Sequence, residues 1–406
     1  MSWEKVRFEE LYLSPSRNGI YKSADSHGSG IKIVNMGEIF AYSFIGDQEM
    51  QRIALSKEEY ERFGLQNGDL LFARRSLVES GAGKCSIVIG LNEPTTFESS
   101  IIRVRLDQDK CVPLFYQYWM RSHAGRTAIR ALVSGTNVKG IRGTELKDIF
   151  VDYPDFATQA RIASILKNYD DLIENNQRQI RLLEEAAQRL YKEWFVDLRF
   201  PGYENTPIVD GVPEGWEKQP LDKAIDFIPK MSLKKERTKQ FVPMSALSVN
   251  SMVLNANEFT ETNSNSGSKF KNNDTLLARI TPCLENGKTG FVSGINSDEG
   301  AVGSTEFIVM RSKLINPYMV YLLARTEEFR NRAINSMTGS DGRQRAQVDK
   351  IKKALYLLPP RCIVDDFERI VKPIFEEIIL KNSENNKLAE ARDRLLPKLM
   401  SGEMEV

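Results

Sequence analysis

The sequence contains little histidine and little cysteine. Its 406 residues include only two histidines, His27 and His123, and four cysteines that lie far apart. The cysteines are too few and too far apart for a zinc site, and metal sites and nucleophile–imidazole pairs usually need at least one well-supported histidine. The composition therefore argues against most metal-dependent or hydrolytic enzymes and against a disulfide framework. We predict that the cysteines are reduced, small apolar side chains.

Long apolar runs and a net charge of one sign are also missing. No run approaches the roughly 20 apolar residues that cross a bilayer, and the first ten residues lack the apolar stretch of a signal peptide. The sequence therefore predicts a cytosolic protein without a membrane partner. Its 56 basic and 55 acidic side chains nearly cancel, so any surface for a polyanion must be local. The length predicts two to four domains.

The dominant feature of the sequence is an internal repeat. Five short strings of the first half recur in the same order in the second half, most of them about 205 residues later. The strings that begin at Trp3 and Asp69, for example, recur at Trp216 and Asp274. Such self-similarity predicts one structural unit that occurs twice.

Each half divides into a globular part and a helical part, and proline-rich turns mark the joints. The globular parts, 1–153 and 201–358, mix short β-rich runs with helical stretches near 113–131 and 317–335, which predicts α+β domains. The helical parts, 154–200 and 359–406, carry apolar residues at spacings of three and four, which is typical of a coiled coil.

The two helices are predicted to pack along a seam of mostly apolar residues. An asparagine in such a seam lowers stability but fixes the register, because a shift would leave its amide unpaired. Pro373 conflicts with an uninterrupted second helix and predicts a kink or a fresh start. The predicted seam residues are Ile165, Tyr169, Leu172, Asn176, Leu183, Leu190, Ile374, Ile378, Asn382, Leu388 and Leu395.

Basic side chains cluster at comparable places in the two globular parts, beside glycine-containing loops at 134–142 and 338–345. Such clusters can neutralise phosphates, and the loops offer groups suited to base edges, Arg to guanine and Asn or Gln to adenine. Solvated polar turns are the alternative interpretation. For Arg74 and Arg279, which end apolar runs, a DNA contact and an internal salt bridge are equally expected. The candidate DNA-binding residues are Arg74, Arg75, Lys84, Thr136, Asn137, Lys139, Arg142, Lys234, Lys235, Arg279, Lys288, Ser340, Arg343, Gln344 and Arg345.

No catalytic or metal-binding residue is predicted. The pairs Gly83-Lys84 and Gly287-Lys288 are similar to the end of a phosphate-binding loop. The glycine required five residues earlier is Val78 in one case and Pro282 in the other. Both pairs are better interpreted as duplicated hairpin turns. The sequence also has no methyltransferase motif of the Asn-Pro-Pro-Tyr type and no Pro-Asp…Glu-x-Lys nuclease pattern.

Over essentially its whole length, the chain resembles the specificity subunit of a type I restriction-modification system. It departs from that family at 156–158 and at 362–373, where the usual motifs are altered. The residues that carry the resemblance are the openings at Trp3 and Trp216, the runs Asp69…Arg74 and Asp274…Arg279, the stretch from Ser134 to Leu166, and the closing string from Leu395 to Glu403.

The resemblance implies two target-recognition domains that each read one half of a bipartite site in double-stranded DNA, separated by two long helices packed as an antiparallel coiled coil with pseudo-twofold character. It implies assembly with two modification (methyltransferase) subunits, which bind S-adenosylmethionine, and with restriction subunits that use ATP and Mg. This subunit would be non-catalytic and hold no cofactor, whereas the assembled complex would be a DNA adenine methyltransferase and an ATP-dependent endonuclease. The helical pair would set the spacing between half-sites.

The repeat would suit two copies of one partner. Candidate docking residues on the flanks of the first helix are Arg178, Arg181, Glu184, Glu185 and Arg189. Two other functions stay open from the residues alone: a DNA-acting enzyme with its own methyltransferase or nuclease site, and a protein-only scaffold. Binding of S-adenosylmethionine would favour the first, and DNA affinity without salt dependence the second.

Overall fold

The computed structural model of the protein describes residues 3–23, 26–234, 237–297, 299–340 and 342–406. The chain divides into two units. The first comprises Met1–Leu172 with Lys387–Val406, and the second comprises Ile173–Asn386.

The first unit combines short strands with helices, and its strands are rich in β-branched and aromatic residues. The strands are β1 (Lys5–Arg7), β2 (Tyr12–Asn18), β3 (His27–Val34), β4 (Phe44–Ile45), β5 (Arg52–Ile53), β6 (Leu70–Ala73), β7 (Arg75–Ser76), β8 (Cys85–Val88), β9 (Thr95–Phe97), β10 (Ile101–Leu106), β11 (Lys139–Gly140) and β12 (Phe150–Asp152). The helices are α1 (Met36–Ala41), α2 (Lys57–Phe63), α3 (Pro113–Arg121), α4 (His123–Leu132), α5 (Gly143–Leu146) and the start of α6 (Phe156–Tyr191).

The second unit has the same kind of composition. Its strands are β13 (Ile208–Val209), β14 (Val212–Pro213), β15 (Glu217–Pro220), β16 (Ile225–Phe227), β17 (Lys239–Val242), β18 (Thr260–Thr262), β19 (Ser268–Phe270), β20 (Thr275–Ala278), β21 (Thr289–Phe291), β22 (Ala301–Gly303), β23 (Phe307–Ser312) and β24 (Leu355–Leu358). Its helices are α7 (Leu221–Ala224), α8 (Pro317–Arg325), α9 (Glu327–Asn335), α10 (Val348–Lys352) and most of α11 (Arg361–Met400).

The two units share a sheet topology. In the first unit a sheet in the order β2-β10-β6-β8-β4 accompanies a sheet in the order β5-β3-β9. In the second unit the corresponding orders are β16-β23-β20-β21 and β18-β17-β22-β19. A two-stranded ladder closes each globular part, β1 with β12 and β15 with β24. The predicted α+β class and the predicted duplication are therefore confirmed.

The helical stretches predicted near 113–131 and 317–335 are each a pair of short helices. The hydroxyl of Ser122 ends α3 and caps α4, since it accepts a hydrogen bond from the backbone N–H three residues later at 3.2 Å. Thr326 does the same between α8 and α9, also at 3.2 Å. A single hydroxyl residue thus breaks each apolar helical pattern at the same place in the repeat.

The long helices α6 and α11 are antiparallel within each unit. Asp170 of the first unit contacts Arg392, and Asn176 Nδ2 of the second unit donates to Glu384 Oε2 at 3.4 Å. Residue numbers therefore rise along one helix as they fall along the other. α11 continues through Pro373 without a break, so the predicted fresh start at this proline is wrong. Pro373 itself is exposed.

The buried stripe of these helices differs in part from the predicted seam. Asn176 and Ile378 are buried, but Leu172 is 52% exposed and does not lie in the seam, which corrects that prediction. The other predicted seam residues are half-buried. The reason is that, within each unit, the helix segments also pack on the globular part of that unit. The residues that do so include Ile162, Ala163 and Leu166 in the first unit, and Ala187, Tyr191, Phe367 and Phe375 in the second.

Throughout the described ranges, every helix is too short or too polar to span a membrane.

Candidate nucleic-acid interface

A buried ion pair braces the strand that leads to each candidate loop. In the first unit, Arg105 donates to both carboxylate oxygens of Asp69, with both N–O distances at 2.7 Å. In the second, Arg311 makes the same bidentate contact with Asp274 at 2.7 and 2.6 Å. Each carboxylate also accepts a hydrogen bond from the backbone N–H three residues earlier, at 2.8 and 2.9 Å. Neither carboxylate is more than 1% exposed, so the pair fixes β6 against β10 and β20 against β23.

Arg74 and Arg279 follow these braced strands and hold the candidate loops by their backbone. The carbonyl of Arg74 accepts from the N–H of Ile141 at 3.1 Å, and that of Arg279 accepts from the N–H of Ala346 at 2.9 Å. The side chain of Arg74 donates to the carbonyl of Ser99 at 3.4 Å, and that of Arg279 to the carbonyl of Ala346 at 3.1 Å. Within the described part of the chain neither guanidinium forms a salt bridge, so both keep donors for another ligand.

Each candidate loop is closed by a reciprocal pair of backbone hydrogen bonds. Ser134 and Gly140 exchange bonds of 3.0 and 2.9 Å, and Thr338 and Arg345 exchange bonds of 3.1 and 2.9 Å. Gly135 has φ +104°, and a Cβ added to it would lie 2.2 Å from the carbonyl oxygen three residues later. Only glycine fits this tight closure.

Each loop also pairs with the residues that follow the strand-end arginine. In the first unit, β7 and β11 pair Arg75 with Gly140. In the second, Ile280 forms an antiparallel bridge with Arg345. Both residues of the second pair lie 205 positions after their counterparts in the first, so the two loops stand on one backbone frame.

The predicted DNA contacts Lys84 and Lys288 each donate a hydrogen bond to a backbone carbonyl outside the two loops. The ammonium of Lys84 donates to the carbonyl of Phe40 at 2.6 Å, and that of Lys288 to the carbonyl of Met244 at 3.2 Å. Burial, together with two nearby arginines, lowers the pKa of Lys84. Each lysine is half-buried and already has a partner within the chain.

The loop tips present polar side chains to solvent. Thr136 and Asn137 are exposed in the first loop, and Ser340 and Arg343 in the second, whereas Gln344 is half-buried. These are the predicted site residues that a ligand can reach without displacing another protein group.

Several predicted DNA-binding cations already have a partner within the chain. Arg345 binds Glu306 through two nitrogens at 2.7 and 3.0 Å, and this contact lowers the pKa of Glu306. Arg75 is exposed and forms no ion pair with any residue that the structure describes, and Lys235 lies outside the described residues. Exposed ion pairs are weak and screened by salt, so a polyanion can compete for them. Three further predicted DNA-binding cations also have a partner within the chain: Arg142 contacts Glu145 at 3.5 Å, Lys234 contacts Glu299 at 2.8 Å, and Lys139 donates to the carbonyl of Gly135 at 2.8 Å.

One predicted docking residue of the first helix is not on an exposed flank. Glu184 accepts a hydrogen bond from the backbone N–H of Met252 at 2.7 Å, and burial raises the pKa of its carboxyl group. It therefore fastens α6 to the globular part of the second unit. The exposed flank residues are Arg178, Arg181, Glu185 and Arg189.

Sequence reasoning missed the partners Arg105 and Arg311, although the sequence contained a signal for them. Asp69 and Asp274 each stand directly before a mostly apolar strand, and a carboxylate at the edge of a core needs a cation or several donors. Within the described ranges, no group of three or more His, Cys, Asp or Glu side chains could hold a metal ion.

Comparisons with known proteins show which proteins this chain is similar to. A family model for the type I restriction modification DNA specificity domain matches residues 2–185. The specificity subunit of the type I restriction enzyme MjaIX from Methanocaldococcus jannaschii is 26% identical over 344 residues, which span 79% of this chain and 75% of that protein. The specificity subunit of EcoKI from Escherichia coli K12 is 28% identical over 177 residues, which span 42% of this chain and 38% of that protein.

A solved structure shares the fold. The S subunit of a type I restriction-modification system from M. genitalium superimposes with a TM-score of 0.60 at 14% identity, covering 98% of this chain and 96% of that one. The sequence matches, the duplicated frame and this likeness of fold agree with one another. Residues 2–185 match the type I restriction modification DNA specificity domain, and the chain is similar over most of its length to a specificity subunit of a type I restriction enzyme.

Proposed function

We propose that the protein recognises double-stranded DNA and that each unit reads one half of a bipartite site through its loop tip. The observation that carries this proposal is the duplicated frame with different tips. The strand register is the same in both loops, and each loop is closed by a reciprocal pair of backbone hydrogen bonds, although the second loop is one residue longer. Asn137 is exposed at one tip and Arg343 at the other. Asn suits adenine and Arg suits guanine in the major groove. A constant frame with variable tips meets the needs of two readers for two sequences.

The chemistry is proposed to reside in partner subunits. Two modification subunits would bind S-adenosylmethionine, and restriction subunits would use ATP and Mg. The complex would then act in the cytoplasm as a DNA adenine methyltransferase and an ATP-dependent endonuclease. The chain itself would be non-catalytic and bind none of these cofactors. The exposed flanks of α6 and α11 would dock the modification subunits, and the length of the helical pair would set the spacing between half-sites.

Methylation mapping tests the proposal directly. Genomic DNA from cells that produce this chain with its partner subunits should carry methylated adenines in one bipartite motif, in which two short defined sequences flank a fixed number of unspecified base pairs. A continuous motif, or a motif that is unchanged when the chain is replaced by a relative, would contradict it.

Binding measurements on the chain separate the two alternative functions. Saturable micromolar binding of S-adenosylmethionine by the isolated chain would favour an enzyme with its own site. For a DNA-reading subunit, the logarithm of the DNA affinity should fall linearly with the logarithm of the salt concentration, because its Lys and Arg side chains displace counterions from the phosphates. A flat plot would favour a protein-only scaffold.

Single substitutions at the two tips should act on different half-sites. We expect Asn137→Ala to reduce base discrimination in one half-site by about 1–3 kcal/mol and Arg343→Ala to do so in the other, since each removes a side chain that can form two hydrogen bonds with one base. Competition binding with duplexes that carry base changes in one half-site at a time measures this. Asn257→Ala, an exposed amide outside both loops, is the matched control. A variant that altered both half-sites equally would contradict independent reading.

A further inference from the structure

The first loop and the end of the segment that pairs with it carry large exposed apolar side chains. Leu77 is 84% exposed, Val78 is 60% exposed and Val138 is 48% exposed. Single exposed apolar residues are ordinary, but a contiguous exposed group marks a surface that meets another molecule.

Strand register brings two of these side chains together. β7 and β11 pair Ser76 with Lys139 in an antiparallel ladder. Leu77 follows Ser76 and Val138 precedes Lys139, so both residues leave the same end of this two-residue ladder. Leu77 and Val138 therefore lie close together at the loop tip as an exposed apolar pair, and Val78 follows Leu77 in the chain.

The surroundings of this pair suit a nucleic acid. Arg75 and Lys139 precede and follow it on the two paired segments, and the amide of Asn137 is exposed beside Val138. Glu79, an acid close by in the chain, is paired with Arg130 at 3.2 Å. An apolar spot framed by cations and an amide matches a DNA groove, where the 5-methyl group of thymine is the apolar feature of the base edges.

The equivalent position in the second unit has a different chemistry. There the bridge between Ile280 and Arg345 continues to Thr281, whose N–H donates to the carbonyl of Gln344 at 3.1 Å. Beyond Thr281 the chain turns, and the residues that leave this end of the frame on the two segments are Pro282 and Arg343. The same end of the frame thus carries two aliphatic side chains in the first unit, and a proline and a guanidinium in the second.

We propose that the Leu77–Val138 pair contacts the 5-methyl group of thymine, so that the first unit reads a half-site with thymine at the base pair beneath this tip. The inference rests on the proposed DNA recognition and specifies what one of the two readers selects. Arg75 and Lys139 contact phosphates on either side and hold the tip in the groove. Burial of one methyl group corresponds to about a fourfold change in affinity.

Replacement of thymine by uracil tests this directly, because uracil lacks only the methyl group. The chain is assembled with its modification subunits, and its affinity is measured for duplexes of the mapped site in which one thymine at a time is uracil. We expect about fourfold weaker binding at one or two thymines, all within one half-site. In the Leu77→Ala/Val138→Ala variant the thymine and uracil duplexes should bind equally. Val209→Ala, which changes another exposed valine, on β13, should retain the difference.

The outcomes distinguish a failure of the thymine contact from a failure of the proposed DNA recognition on which it rests. Equal affinity for uracil and thymine at every position, a mapped site without thymine, or an unchanged uracil penalty in the double variant would overturn the thymine contact and leave DNA recognition intact. An absence of salt-dependent DNA binding by the unmodified complex would overturn DNA recognition itself. Because the uracil series uses the natural protein, its result does not depend on whether any variant folds.

Discussion

The Asp274→Ala variant is expected to unfold its second unit about 3–5 kcal/mol more easily than the natural chain. Asp274 is 1% exposed and holds Arg311 by two short hydrogen bonds. Its removal leaves a half-buried guanidinium without its partner, in a place that water cannot fully reach. Urea unfolding measures the loss, and the buried Trp194 and Trp216 report on the second unit by fluorescence.

Two further variants show whether burial is the cause. Asp274→Ala combined with Arg311→Met removes both charges and should be less destabilising than Asp274→Ala alone, because no unpaired charge remains. Asp349→Ala is the matched control, since Asp349 forms an exposed pair with Lys352 and should cost less than about 1 kcal/mol. If Asp274→Ala were as mild as Asp349→Ala, the buried pair would not be what braces β20.

The sequence predicts the duplication, but it does not indicate which arginine pairs with each buried aspartate. The repeat is visible because the strings at Asp69 and Asp274 are similar and equally placed. That Asp69 pairs with Arg105 depends on β10 lying beside β6, and strand order follows from how the whole core packs. Local periodicity contains no information on this, so the carboxylates were recognised and their partners were not.

The long helices show a second limit of periodicity. Spacings of three and four correctly predicted α6 and α11, yet Leu172 proved exposed and Ala163 buried. A helix that packs both on a partner helix and on its own globular part buries two adjacent stripes. The sequence alone does not indicate which of the two neighbouring stripes each apolar residue joins.

For the candidate site, the sequence predicted the loops but not the state of their side chains. Gly135 and the exposed Asn137 follow from turn chemistry. The contact of Arg345 with Glu306 and the exposure of Leu77 do not, because both depend on where the loop docks on the strand end. Leu77 lies four residues after a buried run, where sequence reasoning has no means of distinguishing a core strand from an exposed tip.

Deletion of one heptad from each long helix should move the protein to a site with a shorter spacer. Residues 171–177 of α6 and 383–389 of α11 are the segments to remove. They oppose each other in the register that joins Asn176 to Glu384, and none of them belongs to the hydrophobic cores of either unit. Seven helical residues span about 10.5 Å, which corresponds to about three base pairs. The original site should then bind more than about 100-fold more weakly, because only one half-site can be engaged at a time.

Selection of bound duplexes from a library with both half-sites fixed and the spacer varied measures the new preference. Enrichment should pass to shorter spacers while the bases of both half-sites stay the same, because the loops and their braced strands are untouched. Removal of 171–177 alone is the control, since it shifts α6 against α11 by two turns, leaves Glu384 without Asn176 and should abolish tight binding at every spacer length. An unchanged spacer preference after the paired deletion would show that helix length does not set the spacing and that the units are positioned by other contacts.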